Sequence, residues 1–156
     1  MLEIAIPGAG PLRLEHLVLD FNGTLAIDGG LLAGVEGRLT TLAGRLRVHV
    51  VTADTFGRVR EAIGDLPCTL FVLPPGDQAA AKRDYVERLG ASSVACIGNG
   101  RNDRSMVAAA ALGIAVVQAE GAATDTVTAA DVIAPTVQDA LDLLLHPLRL
   151  AATLRT

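Results

Sequence analysis

Short aliphatic runs alternate with helically spaced segments along nearly the whole chain. The first interior run, Leu17-Val18-Leu19, closes on an aspartate, Asp20, and Gly23-Thr24 follows within four residues. A continuous apolar run of this length reads as a strand buried on both faces, as in a parallel sheet. Asp20 then stands at the C-terminal end of its strand, the edge at which open α/β sheets place their ligands.

The same alternation continues downstream. Strands are expected over 16–20, 47–51, 69–73, 93–97, 114–117 and 132–133. Helices are expected over 31–46, 56–63, 77–89, 102–111 and 137–145. Residues 2–6 and 12–14 read as a hairpin around the turn-forming stretch Pro7 to Pro11. Strands alternating with helices predict an α/β fold with right-handed crossovers, a three-layer, doubly wound, Rossmann-like and mostly parallel sheet. One domain is expected over 1–156, with the hairpin in 1–15, the core in 16–146 and a loosely held tail in 147–156.

A chain of 156 residues that is 51% apolar can bury roughly two-thirds of its unfolded surface. Only 3% of residues are aromatic, the net charge is −4, and no basic stripe appears, so nucleic acid is not an expected partner. Every apolar run is too short to span a bilayer, and Met1 to Ile6 lacks the pattern of a signal peptide. The expectation is a cytoplasmic protein with no membrane partner. Cys68 and Cys96 are expected to be buried, reduced thiols. His16, His49 and His146 show no metal-ligand spacing.

Four strand ends carry polar residues that such a sheet would bring to one edge. Asp20 ends the first core strand and Thr52 the second. Lys82 lies on the helix after the third, and Asn99, Asn102 and Asp103 follow the fourth. Lys82 is the single lysine beside twelve arginines, so a compact ammonium stands where an arginine would otherwise be used. The set suits phosphoryl transfer. Asp20 can attack a phosphate monoester, Lys82 can offset the charge of two anions brought together, and a Mg²⁺ held by Asp20 and Asp103 can offset more. Thr52 and the amides of residues 21–24 can hydrogen-bond the phosphoryl oxygens.

The order Asp20-Phe21-Asn22-Gly23-Thr24, Thr52-Ala53-Asp54, Lys82 and Gly98-Asn99-Gly100-Arg101-Asn102-Asp103 resembles the four motifs of the haloacid dehalogenase-like hydrolases. It is most similar to the phosphorylation domain of P-type ATPases. Leu112-Gly113-Ile114-Ala115 and Ala129-Ala130-Asp131-Val132 extend the resemblance over roughly 16–145. It implies a Mg²⁺-dependent phosphohydrolase working through an aspartyl-phosphate on an unidentified phosphorylated substrate. Its implied catalytic residues are Asp20, Asn22, Thr52 and Lys82. Phosphate would be held by Phe21, Gly23, Thr24, Thr52, Ala53, Lys82 and Asn102, and the metal by Asp20, Asn22, Asn99 and Asp103.

Two positions depart from the family pattern. Asn22 stands where most of its phosphatases carry the aspartate that moves the leaving-group proton, a loss of about 10²–10⁴ in rate. Asn99 replaces an aspartate that ligates the metal, and hard cations favour anionic oxygens. Thr24 and Thr52 lie 28 residues apart, and Thr52 and Lys82 lie 30 apart. Each gap fits one βα unit, so no cap domain is expected and the site should be open unless a neighbouring copy covers it. Two readings follow: a slow phosphatase, or a catalytically weakened module that binds phosphate or a protein.

Overall fold

The computed structural model describes residues 1–54 and 57–156. An antiparallel hairpin, β1 (Leu2–Ile6) and β2 (Gly10–Leu14), precedes the core strand β3 (His16–Asp20). A second, minimal hairpin follows, β4 (Ala26–Ile27) and β5 (Gly30–Leu31). The rest runs α1 (Val35–Ala43), β6 (Arg47–Thr52), α2 (Arg58–Ile63), β7 (Thr69–Val72), α3 (Gln78–Leu89), β8 (Val94–Gly98), α4 (Arg104–Ala109), β9 (Leu112–Val116), α5 (Thr124–Ala129), β10 (Val132–Ala134), α6 (Val137–Leu145) and α7 (Pro147–Leu154).

Six strands form one parallel sheet in the order β10-β9-β8-β3-β6-β7. β3, β8 and β9 are buried along their whole length, which is why their sequences are continuous apolar runs. Alternate residues serve opposite faces. Leu17 and Leu19 pack with α1, α2, α6 and the hairpin, while Val18 packs with Val86 of α3 and Met106 and Val107 of α4. β3 therefore lies near the middle of the sheet and carries Asp20 out at its C-terminal end.

Several expected boundaries move. The helical spacing over 31–46 shrinks to α1, with Leu31 in β5. Leu32 and Leu46 keep the apolar period because they pack on the same core from flanking loops. The expected start of α2 at Phe56 lies outside the described residues. The segment read as a helix from Asn102 opens instead with a 3₁₀ turn, Arg101–Asp103. α5 was not expected, its six residues Thr124–Ala129 being short and polar.

The tail is the clearest correction. Residues 147–154 form α7, with Pro147 in the first turn, where its missing N–H costs nothing. Leu150 is fully buried on the core, and the Thr156 N–H donates to Pro7 O at 3.1 Å. Among the described residues, no helix is long and apolar enough to cross a membrane.

Candidate active site

Asp20 leaves β3 on the face covered by α3, and its side chain is 10% exposed. The helix is started by Asp77, whose carboxylate accepts the Ala80 N–H. That start sends Lys82 inward, where it is 1% exposed. Its Nζ donates to Asp20 Oδ1 at 2.6 Å and to Asp103 Oδ1 at 2.6 Å. Asp103 is wholly buried at the end of the loop after β8. Its Oδ2 accepts the Asn99 N–H at 3.0 Å and the Gly100 N–H at 2.9 Å. Gly98 makes this possible: a Cβ there would lie 2.6 Å from Asp103 Cγ.

The charges are strongly coupled. Burial, and then the Asp103 charge, push the Asp20 carboxyl up to about 7 against the pull of Lys82 and Thr24. Burial alone would depress the Lys82 ammonium, but the Asp20 and Asp103 carboxylates outweigh it and hold its pKa above the ordinary lysine value. Two carboxylates around one ammonium leave the buried trio short of positive charge.

Thr24, fully buried, places Oγ1 3.2 Å from Asp20 Oδ2 and 3.2 Å from Asn99 Oδ1, so one hydroxyl proton serves both. Asn99 Nδ2 donates to Gly121 O at 3.1 Å, which orients the amide oxygen toward Thr24. The Asn99 side chain lies against Gly23, where a Cβ would be 2.5 Å from Nδ2 and where φ is +81°. Only glycine combines that conformation with that contact. Thr52 ends β6, is 2% exposed, and accepts the Asp54 N–H at 3.3 Å.

Asp20, Thr24, Lys82, Asn99 and Asp103 are thus joined in one network at the C-terminal edge of the sheet, and Thr52 ends the neighbouring strand at the same edge. Three of the expected groups make other contacts in the structure. The Gly23 N–H donates to Ala26 O at 2.8 Å and the Thr24 N–H to Phe21 O at 3.2 Å, so these amides are spent inside the loop rather than turned to a phosphate. Asn102 points away, its Nδ2 donating to Gln78 Oε1 at 2.8 Å. Asp103 has both its oxygens engaged, and no part of it is exposed.

The Phe21 ring is core, so only its backbone can face a ligand. Ala53 is half-buried just past Thr52, and the Asn22 side chain is exposed. Of the two thiols, Cys96 is buried and Cys68 is half-buried; burial pushes both pKa values up.

Oxygen donors remain for a cation: Asp20, the Asn22 main-chain carbonyl and Asn99 Oδ1. Hard oxygens suit a hard divalent ion, and one carboxylate among them makes a weakly charged set. Among the described residues, no group of three or more His, Cys, Asp and Glu side chains is placed to hold a metal.

Gln118 and Thr126 were missed. The Gln118 side chain hydrogen-bonds the Gly23 and Thr24 carbonyls, and Thr126 Oγ1 donates to Gly100 O at 2.6 Å. Gln118 lies two residues past the end of β9, so the strand-end rule that singled out Asp20 and Thr52 would also have found it.

The architecture is that of the HAD-like fold. A protein of Legionella pneumophila assigned to subfamily III A of the HAD-superfamily hydrolases aligns with a TM-score of 0.73 at 21% identity, covering 91% of this chain and 87% of that one. The cobalt-bound deoxy-D-mannose-octulosonate 8-phosphate phosphatase of Haemophilus influenzae aligns with a TM-score of 0.72 at 18% identity, covering 92% and 94%. The corresponding Moraxella catarrhalis enzyme, in complex with magnesium, phosphate and its sugar acid, aligns with a TM-score of 0.67 at 19% identity, covering 86% and 87%.

The chain belongs to the same family as the uncharacterized protein MJ0073 of Methanocaldococcus jannaschii. The two are 39% identical over 84 residues, which are 51% of this chain and 90% of that protein. MJ0072 of the same organism is 46% identical over 39 residues, 25% of this chain and 89% of that protein. No family model matches the chain.

Proposed function

We propose that the protein is a phosphohydrolase that uses Asp20 as its nucleophile, with Mg²⁺ as cofactor. The observation that carries the reading is the Lys82 ammonium, 1% exposed and 2.6 Å from both Asp20 and Asp103, at the sheet edge where the Thr24 and Thr52 hydroxyls also end. A buried cation held between two carboxylates is costly to build and serves a site where further negative charge arrives. The HAD-like fold and the phosphatases among its structural neighbours support the same chemistry by analogy.

An Asp20 oxygen attacks phosphorus in line, the ester P–O bond breaks, and the departing oxygen takes a proton from solvent. Water then adds to the aspartyl-phosphate phosphorus, releasing inorganic phosphate and restoring the Asp20 carboxylate. Lys82 neutralises the nucleophile's neighbourhood, and Thr52 donates its hydroxyl proton to the phosphoryl group. A divalent cation bound by Asp20, the Asn22 carbonyl and Asn99 would add electrostatic stabilisation of the phosphoryl oxygens. Asn22 moves no proton near neutral pH, so both steps run without a side-chain acid at that position and turnover is slow.

Hydrolysis of p-nitrophenyl phosphate with and without Mg²⁺, run beside Asp20→Ala and Asn22→Asp, tests the proposal. Metal-dependent turnover that disappears in Asp20→Ala and rises in Asn22→Asp supports it. Silence in both the wild type and Asn22→Asp favours the second reading, a phosphate- or protein-binding module, for which the amides at positions 22 and 99 speak.

A further inference from the structure

The carbonyls of Gly23 and Thr24 are both taken by one side chain from the loop after β9. Gln118 Nε2 donates to Gly23 O at 2.9 Å and to Thr24 O at 2.7 Å, while its Oε1 accepts the Val137 N–H at 2.9 Å. The three partners fix which way the amide lies, since two carbonyls require its NH₂ and an N–H requires its oxygen. Both donors of the amide are therefore committed to the nucleophile loop, and its acceptor to the first residue of α6. The segment around Gln118 braces the site a second time. The Gly121 N–H donates to Gln118 O at 2.7 Å, and Gly121 O receives the Asn99 amide.

We infer that Gln118 is a positioning residue for the phosphoryl-transfer site, holding the 23–24 peptide so that the Thr24 hydroxyl stays on Asp20 and Asn99. This rests on the phosphohydrolase reading above. The Thr24 N–H holds the same peptide from its other side through a longer bond to Phe21 O at 3.2 Å, and Gly23, at φ +81°, has no side chain to add a further anchor. Rotation of that peptide would carry Thr24 Oγ1 out of its shared bond with Asp20 and Asn99. Gln118 touches neither Asp20 nor the place of a reacting phosphorus, so it acts through the loop.

Gln118→Met and Gln118→Glu test this. Methionine keeps the length and loses both donors. Glutamate keeps the acceptor for Val137 but sets a carboxylate oxygen against two carbonyls, and regains one donor when protonated. Gln118→Met should lower kcat for p-nitrophenyl phosphate roughly 10- to 100-fold with KM changed far less, as small misplacements of reacting groups do. Gln118→Glu should be at least as slow at pH 8, and its activity relative to wild type at the same pH should climb on acidification to pH 5. Hydrogen exchange at the Thr24, Leu25 and Ala26 amides should quicken about 10-fold or more in Gln118→Met while β8 and β9 keep their protection.

An unchanged kcat in an active enzyme, or a Gln118→Glu ratio flat with pH, overturns the inference and leaves the phosphohydrolase reading standing. A wild type without turnover ends that reading instead, and the exchange measurement then decides whether Gln118 holds the loop. The Gln118→Glu comparison with wild type does not involve Gln118→Met, so it stands even if Gln118→Met folds poorly.

Discussion

The Lys82 ammonium lies 2.6 Å from an Asp103 carboxylate that is closed to solvent and takes two backbone N–H bonds on its other oxygen. Asp103 is therefore the fixed end of the pair, and Lys82 carries its charge from that anchor to Asp20. Removing the ammonium leaves two buried carboxylates facing each other with no cation. Breaking a buried ion pair from one side costs about 3–5 kcal/mol. Lys82→Met should lose that much in urea unfolding and abolish measurable phosphatase activity. Lys82→Arg should not rescue it, since a planar guanidinium does not fit a slot that leaves lysine 1% exposed. Full activity in Lys82→Arg would contradict this account.

Gly98 gives a test of the anchor that touches neither charge. A Cβ at this position would sit 2.6 Å from Asp103 Cγ and 2.7 Å from Asp103 Cβ. Asp103 must then withdraw from the Asn99 and Gly100 amides, and Lys82 loses its partner. Gly98→Ala should reduce turnover at least 100-fold, the scale of a displaced catalytic group. Gly100→Ala is the control, because the nearest atom to its Cβ is the flexible end of Asn102 at 2.9 Å. Equal activities in the two variants would show that Asp103 is not held as described.

The convergence of Asp20, Lys82 and Asp103 was legible in the sequence because each sits at a strand end or on the next helix, and the parallel sheet does the rest. The burial of β3, β8 and β9 was legible for the same reason, in unbroken apolar runs. The sequence did not reveal how bonds are shared. Nothing in the spacing of Gly23 and Thr24 says that their amides turn back to Ala26 and Phe21, or that Asp103 spends both oxygens. Those outcomes depend on peptide orientations set by contacts more than 70 residues away, such as Thr24 on Asn99 and Gln118 on Thr24. The tail was misread because Leu150, Ala151 and Leu154 show their period over little more than one turn, and the β1 surface they complete comes from the other end of the chain.

Asn99 is bonded as an amide on both atoms. In Asn99→Asp the oxygen replacing Nδ2 would face Gly121 O, exchanging a hydrogen bond for a repulsion at about 1–3 kcal/mol. Without metal, the melting temperature should fall by several degrees. The added charge should strengthen cation binding, and a ligand that binds only the folded state raises stability with its concentration. Millimolar Mg²⁺ should therefore raise the melting temperature of Asn99→Asp more than that of the wild type. A variant indifferent to Mg²⁺ would show that the Asn99 oxygen does not face the cation.

At the other end of β3 and β6, His16 Nδ1 meets His49 Nε2 at 2.9 Å, and His49 Nδ1 meets the Tyr85 hydroxyl at 2.9 Å. One of the two facing nitrogens must be an unprotonated acceptor, so at least one of the histidines is neutral in the fold. Burial, then the His16 charge and Arg47, lower His49 from the ordinary 6.5 to about 4; burial and then Arg47 lower His16 as well. Between those pH values the unfolded chain binds protons that the folded chain excludes, so this pair's contribution to stability falls as pH falls. Asp20 titrates the opposite way, its carboxyl being raised, so total stability mixes the two. Comparison with His49→Gln isolates the histidine, because Asp20 is common to both proteins. Between pH 7 and pH 5 the wild type should lose about 2 kcal/mol more than His49→Gln in urea unfolding. Equal losses would mean that His49 already carries its proton in the fold, and the bridge to His16 would then have to be redrawn.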